Sequence, residues 1–420
     1  MTQLKDDCFA HDDRLIPMAE ALEMLSGRLL PINETSTLPL PDCLGRILAA
    51  DIFSTINVPA QDNSAVDGYA IRHQDLTSEA DSRLPLKGKS AAGHPMREAL
   101  APGTAARIFT GGALPRDADS VVMQEDVRID GDHIVIPDGL KLGANRRKAG
   151  EDTKTGALVL PRGQRIRPQD IGIAASTGHA ELPVFRRLRV ALFSSGDELV
   201  EPGNLLAEGG VFDSNRYLIR SLLKNLDCKV SDIGILPDKL DKVRDGIAEA
   251  AQNHDLLITS GGMSTGEEDH IKAAVEALGS LYFWRLAIKP GRPVALGQAG
   301  GTAFIGLPGN PVAAMVCFLR FARPIILELN GGNNKTRATR FFAVPAGFSL
   351  NKKPDRREWL RAKLTTAKNG RVIAEMFPSQ GSGVLRSMVE SDGLVEIPES
   401  TTEIKPGDLV DFLPFNEVLF

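Results

Sequence analysis

The chain has 420 residues, 42% hydrophobic and 25% charged, with a net charge of -5 and only two Trp and three Tyr. Such a length exceeds one comfortable core and predicts three or four domains. The acidic balance and few aromatics argue against a nucleic-acid surface of basic stripes and stacking rings. No run approaches the ~20 apolar residues of a membrane span, so small-molecule partners, no membrane and a cytoplasmic location are expected.

Residues 1–13 are polar and acidic, where a signal peptide needs a basic start and an apolar stretch. Cys8, Cys43, Cys228 and Cys317 show no C-x-x-C pair and no metal-like spacing, which predicts reduced structural thiols. Cys317 lies in an apolar helical pattern, where a buried thiol is expected.

Pro17 opens a short amphipathic helix over 17–26, with Met18, Leu22 and Leu25 on one face. From 51 to 150 the chain gives short β-like runs, 107–109, 120–123 and 133–136, between Gly and Pro turns: a small β module. Residues 156–185 return to longer apolar patterns, with a helix start at Pro168-Gln169-Asp170.

An α/β unit then begins. It reads as strand 189–193, helix 217–226, strand 230–236, a helix striped by Leu240, Val243 and Ile247, and strand 255–259. A helix carrying Ile271, Val275 and Leu278 follows, then strands near 281–288 and 302–307 and a helix from Pro311 to Leu329. The alternation predicts parallel pairing with right-handed crossovers. Residues 330–334 read as a polar, Gly-rich linker. Runs at 341–349, 358–364, 371–376, 393–397 and 408–413 then predict a small all-β domain.

Four polar turns punctuate the α/β unit, at 194–198, 260–264, 289–293 and 306–311. In an open parallel sheet the carboxyl ends of strands form the ligand crevice, so these turns should converge on one anion-friendly, carboxylate-rich site. Residues 262–266 fit the G-x-S-x-G nucleophile elbow, but that chemistry needs a later histidine as base and none follows His270.

Ser260, Gly261, Gly262 and Ser264 suit anion binding by backbone N–H groups at a helix N-terminus, or else a tight turn needing positive φ. Glu267, Glu268 and Asp269 either favour the helix dipole or hold a hard cation. Asp197, Glu198 and Asp238 are further carboxylates at strand ends, and magnesium usually takes one or two carboxylates plus substrate phosphates. Lys289, Pro290, Gly291, Arg292 and Pro293 fix two cations in a stiff turn suited to phosphate or a tetrahedral oxyanion, a solvated loop being the alternative. Pro308 and Pro311 stiffen the last turn as scaffold or as contact. Nucleotide signatures are missing: Gly88-Lys89-Ser90 resembles the end of a P-loop, but Arg83 stands where its first glycine belongs.

The segments 62–70, 109–112 with 121–125, 149–152 and the series from 190 to 311, in this order and spacing, resemble the molybdopterin molybdotransferases, the family of bacterial MoeA and the gephyrin E domain. The resemblance spans nearly the whole chain. It implies an α/β multidomain fold: a central parallel α/β molybdopterin-binding domain at 187–330, an N-terminal domain built from 1–50 with 151–186, a β-rich insertion at 51–150 and a C-terminal small β-barrel at 336–420. It also implies that adenylylated molybdopterin and molybdate are the substrates, that Mg2+ assists phosphoanhydride cleavage, and that AMP leaves as molybdenum joins the pterin dithiolene.

Position by position, the resemblance implies catalytic roles for Asp67, Asp152, Glu198, Asp238 and Asp269, the last three also as metal ligands. It implies substrate contacts at Thr110, Arg147, Lys289, Arg361 and Ser382, beside Ser260, Gly261, Gly262, Ser264, Pro290, Arg292, Pro308 and Pro311. An elongated homodimer with the cleft shared between subunits is implied too, with a molybdopterin adenylyltransferase and recipient molybdoenzymes as partners. Two departures stand out: Arg285 replaces a lysine common in bacterial relatives, and Ala313 replaces a serine. A pterin-binding scaffold without catalysis is the competing reading, disfavoured by clustered carboxylates that would repel an anionic ligand. Tungstate in place of molybdate is a third.

Overall fold

The computed structural model describes residues 15–25, 29–262 and 270–419, and of residues 282–285 the backbone alone. At its centre Val190–Phe193 and Leu256–Ile258 are buried as continuous apolar runs, the pattern of strands covered on both faces. The elements are β1 (Arg189–Ser195), α1 (Ser214–Asn225), β2 (Lys229–Leu236), α2 (Leu240–Asn253), β3 (Leu256–Ser260), α3 (His270–Leu278), β4 (Gly279–Arg285), β5 (Pro293–Ala299) and β6 (Thr302–Leu307). They form one six-stranded sheet in the order β2-β1-β3-β6-β5-β4.

β2, β1, β3 and β6 are mutually parallel. The expectation of parallel pairing throughout fails at the other edge, where β5 runs antiparallel to both β6 and β4. Residues 279–307 also give this sheet three strands rather than two. The reason is local: no helix separates these strands, and Gly300 and Gly301, at φ +57 and +86, make a two-residue turn that can join only antiparallel neighbours.

The helix expected from Pro311 to Leu329 is present in three pieces, α4 (Pro311–Cys317), a π turn (Phe318–Ala322) and α5 (Arg323–Leu329). Pro324 lacks the N–H that would bond the carbonyl of Arg320, and the wider turn falls where the ladder must adapt. Phe318 and Phe321 in this turn are fully buried, each contributing about 2–3 kcal/mol of transfer free energy.

The C-terminal strands β7 (Phe342–Pro345), β8 (Arg357–Thr366), β9 (Val372–Met376), β10 (Gly393–Ile397) and β11 (Leu409–Pro414) pair in the order β9-β8-β10-β11-β7. Gly347 N then donates to Ala374 O at 2.8 Å, returning the end of β7 to β9 and closing the small barrel. Alternation along β8 serves two cores: Trp359 packs with the α/β domain, while Leu360 and Ala362 fill the barrel. The two-residue strand Ile288–Lys289 pairs with Arg357 and Glu358 and ties the two domains by backbone.

Before the α/β unit, Thr35–Pro39 pairs antiparallel with Glu181–Phe185, and Ile52–Phe53 with Leu158–Leu160. Leu48, Ile52, Leu160, Ile166 and Val184 share one core, so segments on either side of the insertion fold together. The insertion carries its own six-stranded sheet. Residues 330–334 are not a loose linker. Gly331, at φ +83, lies so close to Phe185 that a Cβ would overlap the ring, and Asn333 Nδ2 donates to Arg162 O at 2.9 Å.

Among the described residues no helix is long and apolar enough to cross a membrane. Cys43, Cys228 and Cys317 are buried free thiols. Burial pushes the Cys228 thiol up to about 12 and raises that of Cys317 further, so both stay protonated.

Candidate active site

The turns at 194–198, 260–262 and 306–311 leave the carboxyl ends of parallel strands β1, β3 and β6. The turn at 289–293 meets the same edge by a different route, because it enters β5, whose first residues lie beside the end of antiparallel β6. Gly261 N donates to Leu307 O at 3.1 Å, stapling the turn after β3 to the end of β6. That N–H, expected to face an anion, is therefore already engaged.

Two cavities open along this edge. The larger, about 560 Å³, is walled by Ser195 and Glu198 after β1, Asp213 to Asn215 at the start of α1, Ser260 and Gly261 after β3, and Pro311. The smaller, about 340 Å³, is walled by Lys289 to Pro293, Pro308, Ala313 and, from the barrel domain, Gln380 to Ser382. Gly309 and Asn310 line both, so one turn separates the two spaces. Cavities of this size suit small molecules.

The α1 end of the larger cavity is firmly built. Asp213 caps the helix by accepting from Arg216 N at 3.1 Å. The Arg216 guanidinium is buried and also engages Asp213, Asp232 and Glu201; burial alone would lower its pKa, but hydrogen bonds to Asp232 and Asp213 outweigh that and raise it. Asn215 Nδ2 donates to Gly309 O at 2.6 Å. Sequence reading started this helix at Tyr217 and missed all three polar residues. Asp213 ahead of an apolar stripe was the available N-cap signal.

Glu198 folds over Gly196, where an added Cβ would lie 2.6 Å from Glu198 Oε2. Asp238, at the end of neighbouring β2, accepts from Ser195 Oγ at 3.4 Å. Asp269 and Ser264, with the rest of residues 263–269, lie outside the described residues. Among the described residues no group of three or more His, Cys, Asp or Glu side chains is placed to hold a metal ion. Glu198 and Asp238 nevertheless supply hard oxygen donors from adjacent strand ends, the donor type and number that magnesium usually takes from protein.

The smaller cavity is cationic on one side. Lys289 and Arg292 line it, and Lys289 Nζ lies 3.3 Å from the buried Glu358 Oε2. Gly291, at φ +99, packs so tightly on Cys317 that a Cβ would overlap the sulfur, so a glycine is required for the turn. Ser382 contributes its carbonyl, which accepts from Val312 N at 3.0 Å at the start of α4.

Arg361 was expected as an anion contact, yet its side chain is 1% exposed and sits behind the cavity wall. It donates to Ser387 Oγ at 3.0 Å, Gly381 O at 3.1 Å and Ser379 O at 3.3 Å, and burial holds its pKa down at about 10. Its visible work is to clamp the 379–381 loop. No sequence pattern marked Gln380 or Gly381 as cavity wall.

The remaining expected residues belong to the insertion. Asp67 Oδ1 accepts from both Thr110 N and Thr110 Oγ1 at 2.7 Å, and these bonds hold its carboxyl below the usual carboxylate range. The Thr110 hydroxyl, expected to reach a ligand, is thus spent on Asp67. Arg107 stacks on Tyr69 and Phe109 beside them. Arg147 pairs with Asn63 in a short ladder, and Asp152 N donates to Val58 O at 3.0 Å. None of Asp67, Thr110, Arg147 and Asp152 lines either cavity.

Family models match the chain in three blocks: the MoeA N-terminal region (domain I and II) over residues 16–178, "Probable molybdopterin binding domain" over 191–328, and the MoeA C-terminal region (domain IV) over 343–415. A molybdopterin molybdenumtransferase of Haemophilus influenzae is 38% identical over 388 residues, covering 92% of this chain and 95% of that one. The chain belongs to the MoeA family of molybdopterin molybdenumtransferases.

A second family member, from Nostoc, is 32% identical over 89% of this chain and 87% of its own length. The fold of the family is shared as well. A molybdopterin biosynthesis MoeA protein of Pyrococcus horikoshii superposes with a TM-score of 0.81 at 28% identity, covering 96% of this chain and all of that one.

Proposed function

We propose that this chain, like the relatives it matches, is a molybdopterin molybdenumtransferase of molybdenum cofactor biosynthesis, and that it takes adenylylated molybdopterin and molybdate and releases AMP. The observation that carries the reading is the pair of cavities sharing Gly309 and Asn310, one walled by carboxylate and helix N-terminus, the other by Lys289 and Arg292. Such a pair suits a substrate whose phosphoanhydride must be opened beside a bound oxyanion.

In this reading Glu198 and Asp238 hold a magnesium ion, with Asp269 as the third carboxylate expected from the sequence. When bound, the ion neutralises charge on phosphoanhydride oxygens. Lys289 and Arg292 meet the negative charge of molybdate, Arg292 lining the cavity with a planar fork suited to an oxyanion. Ser195 donates its hydroxyl to Asp238 and keeps that carboxylate oriented toward the strand end. The barrel loop held by Arg361 closes the oxyanion side.

Asp67, Thr110, Arg147 and Asp152 enter the site from the insertion of a second copy in a homodimer, since within one chain they line neither cavity. The test supplies purified protein with adenylylated molybdopterin, molybdate and magnesium. AMP should appear in step with active cofactor and cease with a chelator. Wild-type protein that binds the pterin substrate and never releases AMP refutes the reading.

A further inference from the structure

Glu358 is the second residue of β8, in the barrel domain, and its register partner across the interdomain ladder is Lys289. The Glu358 side chain is only 2% exposed, whereas that of Lys289 is 48% exposed and faces the smaller cavity. One carboxylate oxygen, Oε2, takes Lys289 Nζ at 3.3 Å; the other, Oε1, takes Arg356 at 2.7 Å. A buried carboxylate is stable only when paired, and here it is paired twice. Two cations on one carboxylate leave an uncompensated positive charge beside the cavity, so the pairing does not cancel the attraction for an anion.

The geometry has a second consequence. A lysine on a surface turn carries much rotamer entropy and otherwise points anywhere its four-carbon stem allows. Glu358 removes that freedom. The ammonium has three N–H donors and spends one on Glu358, which leaves two for a ligand in the cavity. The lysine is on the α/β domain, its anchor is on the barrel domain, and the Ile288–Lys289 ladder holds the two in register.

We propose that Glu358 is a positioning residue for the transfer reaction: it fixes the Lys289 ammonium at the rim of the smaller cavity for a tetrahedral oxyanion, and so makes the barrel domain part of the oxyanion site. The inference rests on the oxyanion reading of that cavity. It is distinct from a charge effect, because replacing Glu358 by glutamine raises the local positive charge and, by Coulomb attraction alone, would tighten anion binding. Positioning predicts the opposite sign.

The experiment titrates molybdate into the full-length protein by calorimetry, for wild type, Glu358→Gln, Glu358→Asp, Lys289→Ala and the Lys289→Ala/Glu358→Gln pair, with thermal unfolding of each as the folding control. Glu358→Gln should weaken molybdate binding about tenfold, the usual size for loss of a charge-assisted contact. Glu358→Asp should recover part of it, and the double variant should bind no worse than Lys289→Ala alone. In steady-state turnover the Glu358→Gln loss should fall on KM for molybdate, with KM for the pterin substrate unmoved. Unchanged or tighter molybdate binding in folded Glu358→Gln, or losses that add in the double variant, overturn the positioning role. If Lys289→Ala itself leaves molybdate binding intact, it is the oxyanion reading of the cavity that fails. A Glu358→Gln protein that does not fold leaves Glu358→Asp to decide, because it keeps the charge and withdraws the carboxylate by one methylene: weakened molybdate binding with wild-type unfolding counts for the proposal, and wild-type affinity counts against it.

Discussion

Asn215 donates its side-chain amide to the carbonyl of Gly309 at 2.6 Å, so the first turn of α1 holds the one turn that walls both cavities. Asn215→Ala removes the only side-chain bond described on that carbonyl. Because Gly309 and Asn310 face both spaces, KM should rise for molybdate and for the pterin substrate together, each by roughly tenfold, as small displacements of positioning groups do. Steady-state kinetics with each substrate varied in turn checks this. A change confined to one substrate would show that the turn serves a single cavity.

The carboxylates proposed to hold magnesium should separate binding from chemistry. Glu198→Gln and Asp269→Asn are expected to lower AMP release by two orders of magnitude or more, on the order of 3 kcal/mol in transition-state stabilisation, while pterin binding changes little. Equal losses in both would mark these residues as structural. Raising magnesium should partly rescue Glu198→Gln if it is a ligand.

Thr110→Val deletes the hydroxyl that Asp67 accepts while keeping the backbone N–H bond. Fewer hydrogen bonds to the charged form favour it less, so the Asp67 carboxyl pKa should rise toward the ordinary value. Carbon NMR titration of the carboxyl reports it directly. An unmoved titration would mean the hydroxyl bond contributes nothing.

Acid stability should depend on Asp255. Burial pushes its carboxyl up, but hydrogen bonds from Arg186 and Arg189 dominate and hold it at about 2, against 3.8 unperturbed. A carboxyl depressed in the folded state stabilises the fold fully above the unfolded value and loses that contribution as pH falls through the folded one. Between about pH 4 and 2 the protein should therefore lose about 2 kcal/mol from this group. Urea unfolding at stepped pH should show Asp255→Asn less stable at neutral pH and with a shallower decline over that window.

Gly291→Ala forces a Cβ onto Cys317 Sγ at a backbone φ of +99. Overpacking and left-handed strain together should cost about 2–4 kcal/mol, with weakened molybdate binding because Lys289 and Arg292 flank the glycine. Pairing it with Cys317→Ala should relieve the steric part and leave the strain. Thermal unfolding of the single and double variants separates the two contributions.

The sequence by itself determined the alternation of strands and helices from 189 to 278, because apolar period and polar turns are local signals. It also determined, through ordered short motifs, the family to which the chain belongs. Lys289, Arg292, Glu198, Ser260 and Pro308 were legible as members of the turns that line the two cavities, since each sits in a stiff or Gly-rich turn at a strand end. Tertiary structure alone decided the antiparallel edge at β5, where two glycines reverse the chain without a helix. It alone decided that Arg361 backs the cavity rather than lining it, and that Lys289 is anchored by Glu358 from another domain. Those facts depend on which distant strand ends meet. A residue's type and neighbours fix what it can bond, but only packing between domains fixes what it does bond.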